Sequence, residues 1–183
     1  MSCLPQTPTG NDDRSTPANG GWVSITAVST AALTKHFGIA AETLRFLSVA
    51  DGTNQHVEIL QIEIEETVAL HASFPSTTNT KKNPLVIYLY DDAGAAPTSP
   101  LVSDEYNGST TNLLATYEIV AADYYRVSDT VWRARVTPTL HVRTGTTATS
   151  GNMYMVILTD AAVTYAAGTA IRARITTRLN SAL

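Results

Sequence analysis

One cysteine, two tryptophans and 15% charged residues are all that 183 positions supply, and each shortage removes an explanation. Cys3 has no partner in its own chain, so neither an intrachain disulfide nor an all-cysteine metal cage is available. Charge at 15% is well under the usual ~25%, with Thr, Ser and Ala taking its place. Such a polar, weakly charged surface suits β-proteins that bury part of it in an assembly. No apolar run approaches the ~20 residues of a membrane-spanning helix. The opening stretch MSCLPQTPTGNDDRSTPANG has neither the basic region nor the apolar region of a secretory signal. The expectation is a soluble protein made in the cytoplasm that either stays there or leaves by lysis or assembly. A pI near 5.5 argues against a general nucleic-acid binder.

Reaction motifs are missing as well. His36, His56, His71 and His141 fall in no HExxH, HxH or HxxxH spacing, and there is no GxSxG nucleophile elbow. A chance pairing of the two strand histidines, His71 and His141, is the one metal arrangement left, with half-buried strand histidines the plainer reading. Asp91-Asp92 and Asp104-Glu105 lack the regular oxygen spacing of a Ca²⁺ loop. Glu63, Glu65 and Glu66, with Glu58 upstream, form the densest acidic cluster. Glycosidases pair isolated carboxylates across an aromatic-lined cleft, so a solvated strand face or a patch opposing arginines fits better. The chain is expected to be no enzyme and to need no cofactor.

What is present is an uneven charge distribution. Residues 1–125 hold fourteen Asp/Glu against five Lys/Arg, whereas residues 126–183 hold seven Arg, no Lys, and only Asp129 and Asp160. A molecule so divided presents unlike faces to its surroundings or to copies of itself. The sharpest element of the basic part is a pair of near-identical segments, WRARV and IRARI. Residues i and i+2 of a strand share a face. Arg133 with Arg135, and Arg172 with Arg174, therefore each project two guanidiniums on one side. If the strands are close they form a four-arginine patch, which Arg126, Arg143 and Arg178 would widen. Exclusive use of Arg favours bidentate pairing with carboxylate or phosphate. Glu63, Glu65, Asp91 and Asp92 of another copy are the expected partners, nucleic-acid phosphate the second choice, and solvated arginines the third.

Residues 1–21 read as an extended arm rich in Pro, Gly, Asn, Thr and Asp, and residues 22–183 as a single domain opening at Trp22. Ser29–Phe37 has helical spacing behind a Ser/Thr cap and ends at Gly38. Ala40–Phe46 continues as a helical turn or, preferably, gives way to a strand from Leu44 that ends at the Asp51-Gly52 turn. The remainder is β. In HVEILQIEIEETVALHASF, Val57 and Ile59 share one face, then parity changes to put Leu60, Ile62 and Ile64 inside, the mark of a bulge. Further strands are expected at 68–72, 84–92, 115–120, 130–136, 139–144, 152–158 and 170–176, with Pro138 a corner and Gly145–Gly151 a long hairpin loop. The expected interior is Ile59, Ile62, Ile64, Leu70, Val86, Tyr88, Val131, Trp132, Val136, Met155, Ile157 and Ile175. Short strands at roughly ten-residue intervals argue for an all-β fold, an antiparallel sandwich or barrel of jelly-roll type.

A Pro/Thr/Asn-rich arm, eight to ten β segments, Thr-rich loops and no catalytic set together resemble the single jelly roll of viral capsid proteins, either small icosahedral coat proteins or the decoration and cement proteins of tailed-phage heads. The resemblance is architectural and runs from Trp22 to the C-terminus. It implies a structural virion protein, a capsid decoration protein first and a major coat protein second. The implied partners are itself, as a trimer or dimer, and a viral shell protein, with no membrane. The arm departs from the basic arms of many RNA-virus coats, having Asp12 and Asp13 against Arg14. From a different class, a carbohydrate-binding sandwich would stack sugar on Tyr106, Tyr124 or Tyr125, residues for which packing is the plainer role.

Overall fold

The computed structural model describes residues 21–25, 28–46, 56–67, 82–91, 96–108, 110–128, 130–138, 140–143, 152–165 and 167–179. Residues 1–20 of the expected 1–21 arm, the expected 68–72 strand with Leu70 and His71, Asp92, the expected Asp51-Gly52 turn and the expected Gly145–Gly151 loop lie outside them.

The fold is all-β and antiparallel. Among the described residues twelve strands run in chain order: β1 (Val23–Ser24), β2 (Ala32–Leu33), β3 (Leu44–Phe46), β4 (His56–Thr67), β5 (Leu85–Asp91), β6 (Leu113–Ile119), β7 (Tyr124–Arg126), β8 (Val131–Val136), β9 (Leu140–Arg143), β10 (Met153–Thr159), β11 (Val163–Thr164) and β12 (Ala170–Leu179). One sheet has the order β1-β12-β4-β8-β7, with β9 also on β4. A second has the order β3-β10-β5-β6, and β2 with β11 make a small ribbon. With β8 and β9 counted as one interrupted strand and the short β2, β7 and β11 set aside, eight main strands remain. The first sheet then takes the first, eighth, third and sixth of these, and the second sheet takes the second, seventh, fourth and fifth. Among these eight described strands, each consecutive pair except β5 and β6 is divided between the two sheets.

Alternation makes the core. Ile62, Ile64, Ala134, Val136, Ala173 and Ile175 of the first sheet and Ile87, Leu89, Met153, Met155 and Ile157 of the second join one buried cluster. Burying each large aliphatic side chain is worth roughly 1.5–3 kcal/mol, so this layer holds the sheets together. Eight of the expected interior residues are buried: Ile59, Ile62, Ile64, Val86, Val136, Met155, Ile157 and Ile175. Tyr88, Val131 and Trp132 are only half-buried. Trp132 shares the inward parity of Ala134, but it lies near the sheet margin with Lys82 over its ring, 4.9 Å from the centroid.

The parity change in β4 is a bulge. Pairing with β12 jumps from Gln61↔Thr176 to Ile59↔Thr177, leaving Leu60 without an opposite number. Leu60 is therefore not a core residue, as its place with Ile62 and Ile64 suggested, but the extra residue, exposed at 36%. The bulge keeps Val57 and Ile59 inside with Ile62 and Ile64. Pro138 marks the break at which β8 gives way to β9 along the same partner, Ile62↔Val136 being followed by Ile59↔Leu140.

The expected helix at Ser29–Phe37 does not form. Ala32–Leu33 is strand, and the chain turns through His36 at φ 65°. It then runs beside β10: His36 N donates to Thr159 O at 2.7 Å, Thr159 N to Phe37 O at 2.9 Å, and Gly38 bridges Leu158. An open strand edge offers these backbone groups partners that outweigh a short helix's propensity, since isolated short helices are marginal. Gly38 is required there, because a Cβ would stand 2.7 Å from Cβ of Pro100.

Candidate functional site

The outer face of the first sheet carries the arginines. Ala134, Ala173, Ile171 and Ile175 point inward and are buried, so Arg133, Arg135, Arg172 and Arg174 stand on the opposite side. Strand β4 runs between the two Arg-Ala-Arg strands and brings its glutamates into register with them. One cross-strand row is Arg172↔Glu65↔Arg133 and the next is Arg174↔Glu63↔Arg135.

Each glutamate is clamped from both sides. Arg133 donates Nε and Nη2 to Glu65 Oε2 at 3.2 and 2.6 Å, and Arg172 donates Nε to Glu65 Oε1 at 2.7 Å. Arg135 donates Nε and Nη2 to Glu63 Oε1 at 3.2 and 3.0 Å, and Arg174 donates Nε to Glu63 Oε2. A third rung beyond the bulge joins Arg178 Nε to Glu58 Oε2 at 2.9 Å. The carboxylates are sealed, Glu63 at 1% and Glu65 at 2% side-chain exposure, while Arg135 and Arg172 keep 48% and 42%. Burial pushes the Glu63 carboxyl upward, but the hydrogen bonds and charges of Arg174 and Arg135 outweigh it and hold the group below its ordinary value near 4.5.

Trp22 covers one margin of the ladder, with Arg172, Arg174 and Arg133 at 4.7, 4.7 and 5.1 Å from its ring centroid. Each cation–π contact of this kind is worth ~0.5–1 kcal/mol where exposed, more where dry. At the other margin Tyr125 lies 5.8 Å from the Arg135 guanidinium carbon.

The four expected arginines and two of the four expected acids therefore do meet, but within one chain. Glu63 and Glu65 were expected to face arginines of another copy, or solvent, and they do neither. Asp91 is buried on the interior side of β5, opposite Met153 of β10 and away from the ladder. Asp92 is outside the described residues. Of the possible wider patch, Arg178 pairs with Glu58, and Arg126 Nε donates to Ser128 O at 3.2 Å. The side chain of Arg143 is not among those described. The sequence did carry a usable signal. QIEIEE alternates in phase with RAR, and such phasing places opposite charges across neighbouring strands.

Two of the three tyrosines considered for sugar stacking are engaged in packing. Tyr106 bonds Tyr90 hydroxyl to hydroxyl at 3.1 Å and meets Tyr88 edge-on at 5.7 Å. Tyr124 is buried and donates its hydroxyl to Asn83 O at 3.0 Å. Burial first, and then the nearby Glu66 carboxylate, push the Tyr124 and Tyr165 phenols well above their ordinary value. That cluster is neutral hydroxyl chemistry at any ordinary pH. Among the described residues, no group of three His, Cys, Asp or Glu is placed to hold a metal ion, and no helix is long and apolar enough to cross a membrane.

No family model matches this sequence, and no curated protein matches it either.

Proposed function

We propose that this chain is a non-enzymatic structural protein of a virus particle, a capsid decoration protein that binds and stabilises the shell. The observation that carries the reading is the strand order. First, eighth, third and sixth strands facing second, seventh, fourth and fifth is the double Greek key wiring of a jelly roll. Jelly rolls serve capsids, lectins and cupins, so the wiring alone does not choose among them. The interior supports the structural choice. Where a cupin keeps metal ligands, this sandwich is packed with Ile62, Ile64, Ile87, Leu89, Met155 and Ile157. The outer face supports it too, because a rigid, cross-linked sheet with outward guanidiniums suits contact with another protein more than it suits chemistry.

Mass measurement and electron microscopy of the purified protein test this. A decoration protein stays a small oligomer and co-sediments with pre-formed heads that lack it. Closed shells formed by the chain alone would make it the coat protein. A monomer that ignores shells and retains glycans would overturn both.

A further inference from the structure

The guanidinium face has a charge it does not satisfy itself. Four arginines over two glutamates leave it net +2. Of these four, Arg135 and Arg172 are the most exposed; they turn their Nε sides to the glutamates, and no described residue accepts from their Nη1 groups.

The opposite outer face carries the complementary charge. Glu118 shares the outward face of Val86 in the second sheet, its register partner. Asp160 follows β10 and bonds Lys35 at 2.9 Å. Glu105 bridges Phe37 at that sheet's margin and contacts His36 Nδ1 at 3.2 Å, with exposed Asp104 beside it. His36 links the two pairs, its Nε2 standing 3.8 Å from Asp160 Oδ1, and Asp160 and then Glu118 raise the pKa of the Lys35 amine. Asp104, Glu105, Glu118 and Asp160 against Lys35 leave this patch net −3 before His36 is counted.

We infer that the guanidinium face of one copy docks on the acidic patch around Asp104, Glu105 and Glu118 of a second copy, head to tail. The two patches lie on opposite outer faces of one sandwich, so a contact between them is heterologous, and repetition closes a ring or runs on as an open filament. Planar guanidinium groups already fixed by Glu63 and Glu65 lose little freedom on meeting carboxylates, which favours the contact. The acidic partner differs from the one read in the sequence, since Glu63 and Glu65 are already occupied. The inference does not require a virus particle, so it stands or falls apart from the functional reading.

Two variants of the full chain test it. D104K/E118K reverses the acidic patch and leaves Glu105 with His36 and Asp160 with Lys35. Y125E places a carboxylate beside Arg135 without removing an arginine. Sedimentation of the parent at low salt should give a mass above the monomer. Each variant should weaken association at least about tenfold, as should ~1 M salt. An equimolar mixture should recover a one-to-one complex, because each variant keeps the face the other has lost. Circular dichroism and melting controls show that both are folded, and either variant suffices if the other is not. A parent that is monomeric at every concentration overturns the inference, and so does a mass indifferent to both variants. Retention of a single-stranded oligonucleotide that Y125E abolishes without changing the mass would assign the face to phosphate instead, and would equally overturn it.

Discussion

Glu63 and Glu65 are acids that a solvated strand face would keep wet, yet they sit dry beneath arginines that still touch water. A buried charge without a partner costs several kcal/mol, and an arginine donating on each side offsets that cost. Replacing Glu63 with Gln leaves Arg135 and Arg174 repelling each other over a neutral group. The expected loss is on the order of 2–4 kcal/mol, somewhat under a fully buried pair because the guanidiniums reach solvent. Urea denaturation measures it, and an unchanged midpoint would mean the ladder is ornamental. The pH dependence has a definite sign. A carboxyl held below 4.5 in the fold contributes stability that is complete above that pH and is lost as pH falls through the depressed value. The parent should therefore lose stability below pH 4.5, and Glu63→Gln should lose less over the same range.

At the scale of the strand, β4 depends on one residue that lies outside the core. Leu60 is 36% exposed, so Leu60→Ser should shift stability by no more than about 0.5 kcal/mol. Deleting Leu60 is another matter. Without the extra residue, side-chain parity cannot serve both halves of the strand, and either Val57 with Ile59 or Ile62 with Ile64 must face water. Two aliphatic side chains at roughly 1.5–3 kcal/mol each give an expected loss of about 3–6 kcal/mol. A deletion variant melting like the parent would refute the bulge. The failed helix at Ser29–Phe37 teaches the complementary lesson. Its spacing of apolar residues was real, but the margin of β10 took its backbone groups.

For the whole molecule, the first and last described strands are neighbours, β1 pairing with β12. Such non-local closure predicts slow folding, in the millisecond-to-second range or beyond, with a single cooperative transition. Residues 1–20 have too little apolar content to form a core of their own. A chain beginning at residue 21 should keep its strand spectrum and lose less than about 1 kcal/mol of stability. Beginning at residue 25 instead removes Trp22 and β1, and with them the cover over Arg172 and Arg174. That shorter chain should be clearly less stable in thermal melts. Equal melting of the two would show that Trp22 and β1 contribute nothing.

Alternation, turn residues and the lack of any βαβ rhythm determined the all-β class, most strand positions, the bulge in β4 and the shared face of each Arg-Ala-Arg pair. These are local properties, fixed by a side-chain period of two and by backbone preferences at Gly, Pro and Asn. Partner choice is not local. Whether Glu63 meets an arginine of its own chain or of another depends on which strand lies beside β4, and strand order follows from how the crossovers bury both sheets together. The sequence reading therefore named the right arginines and glutamates but put them on different copies. It likewise set Leu60 in the core, because parity shows that a bulge exists without showing which residue is extra. Tertiary structure decided both, by pairing β4 on each side and leaving one outer face with more arginines than glutamates.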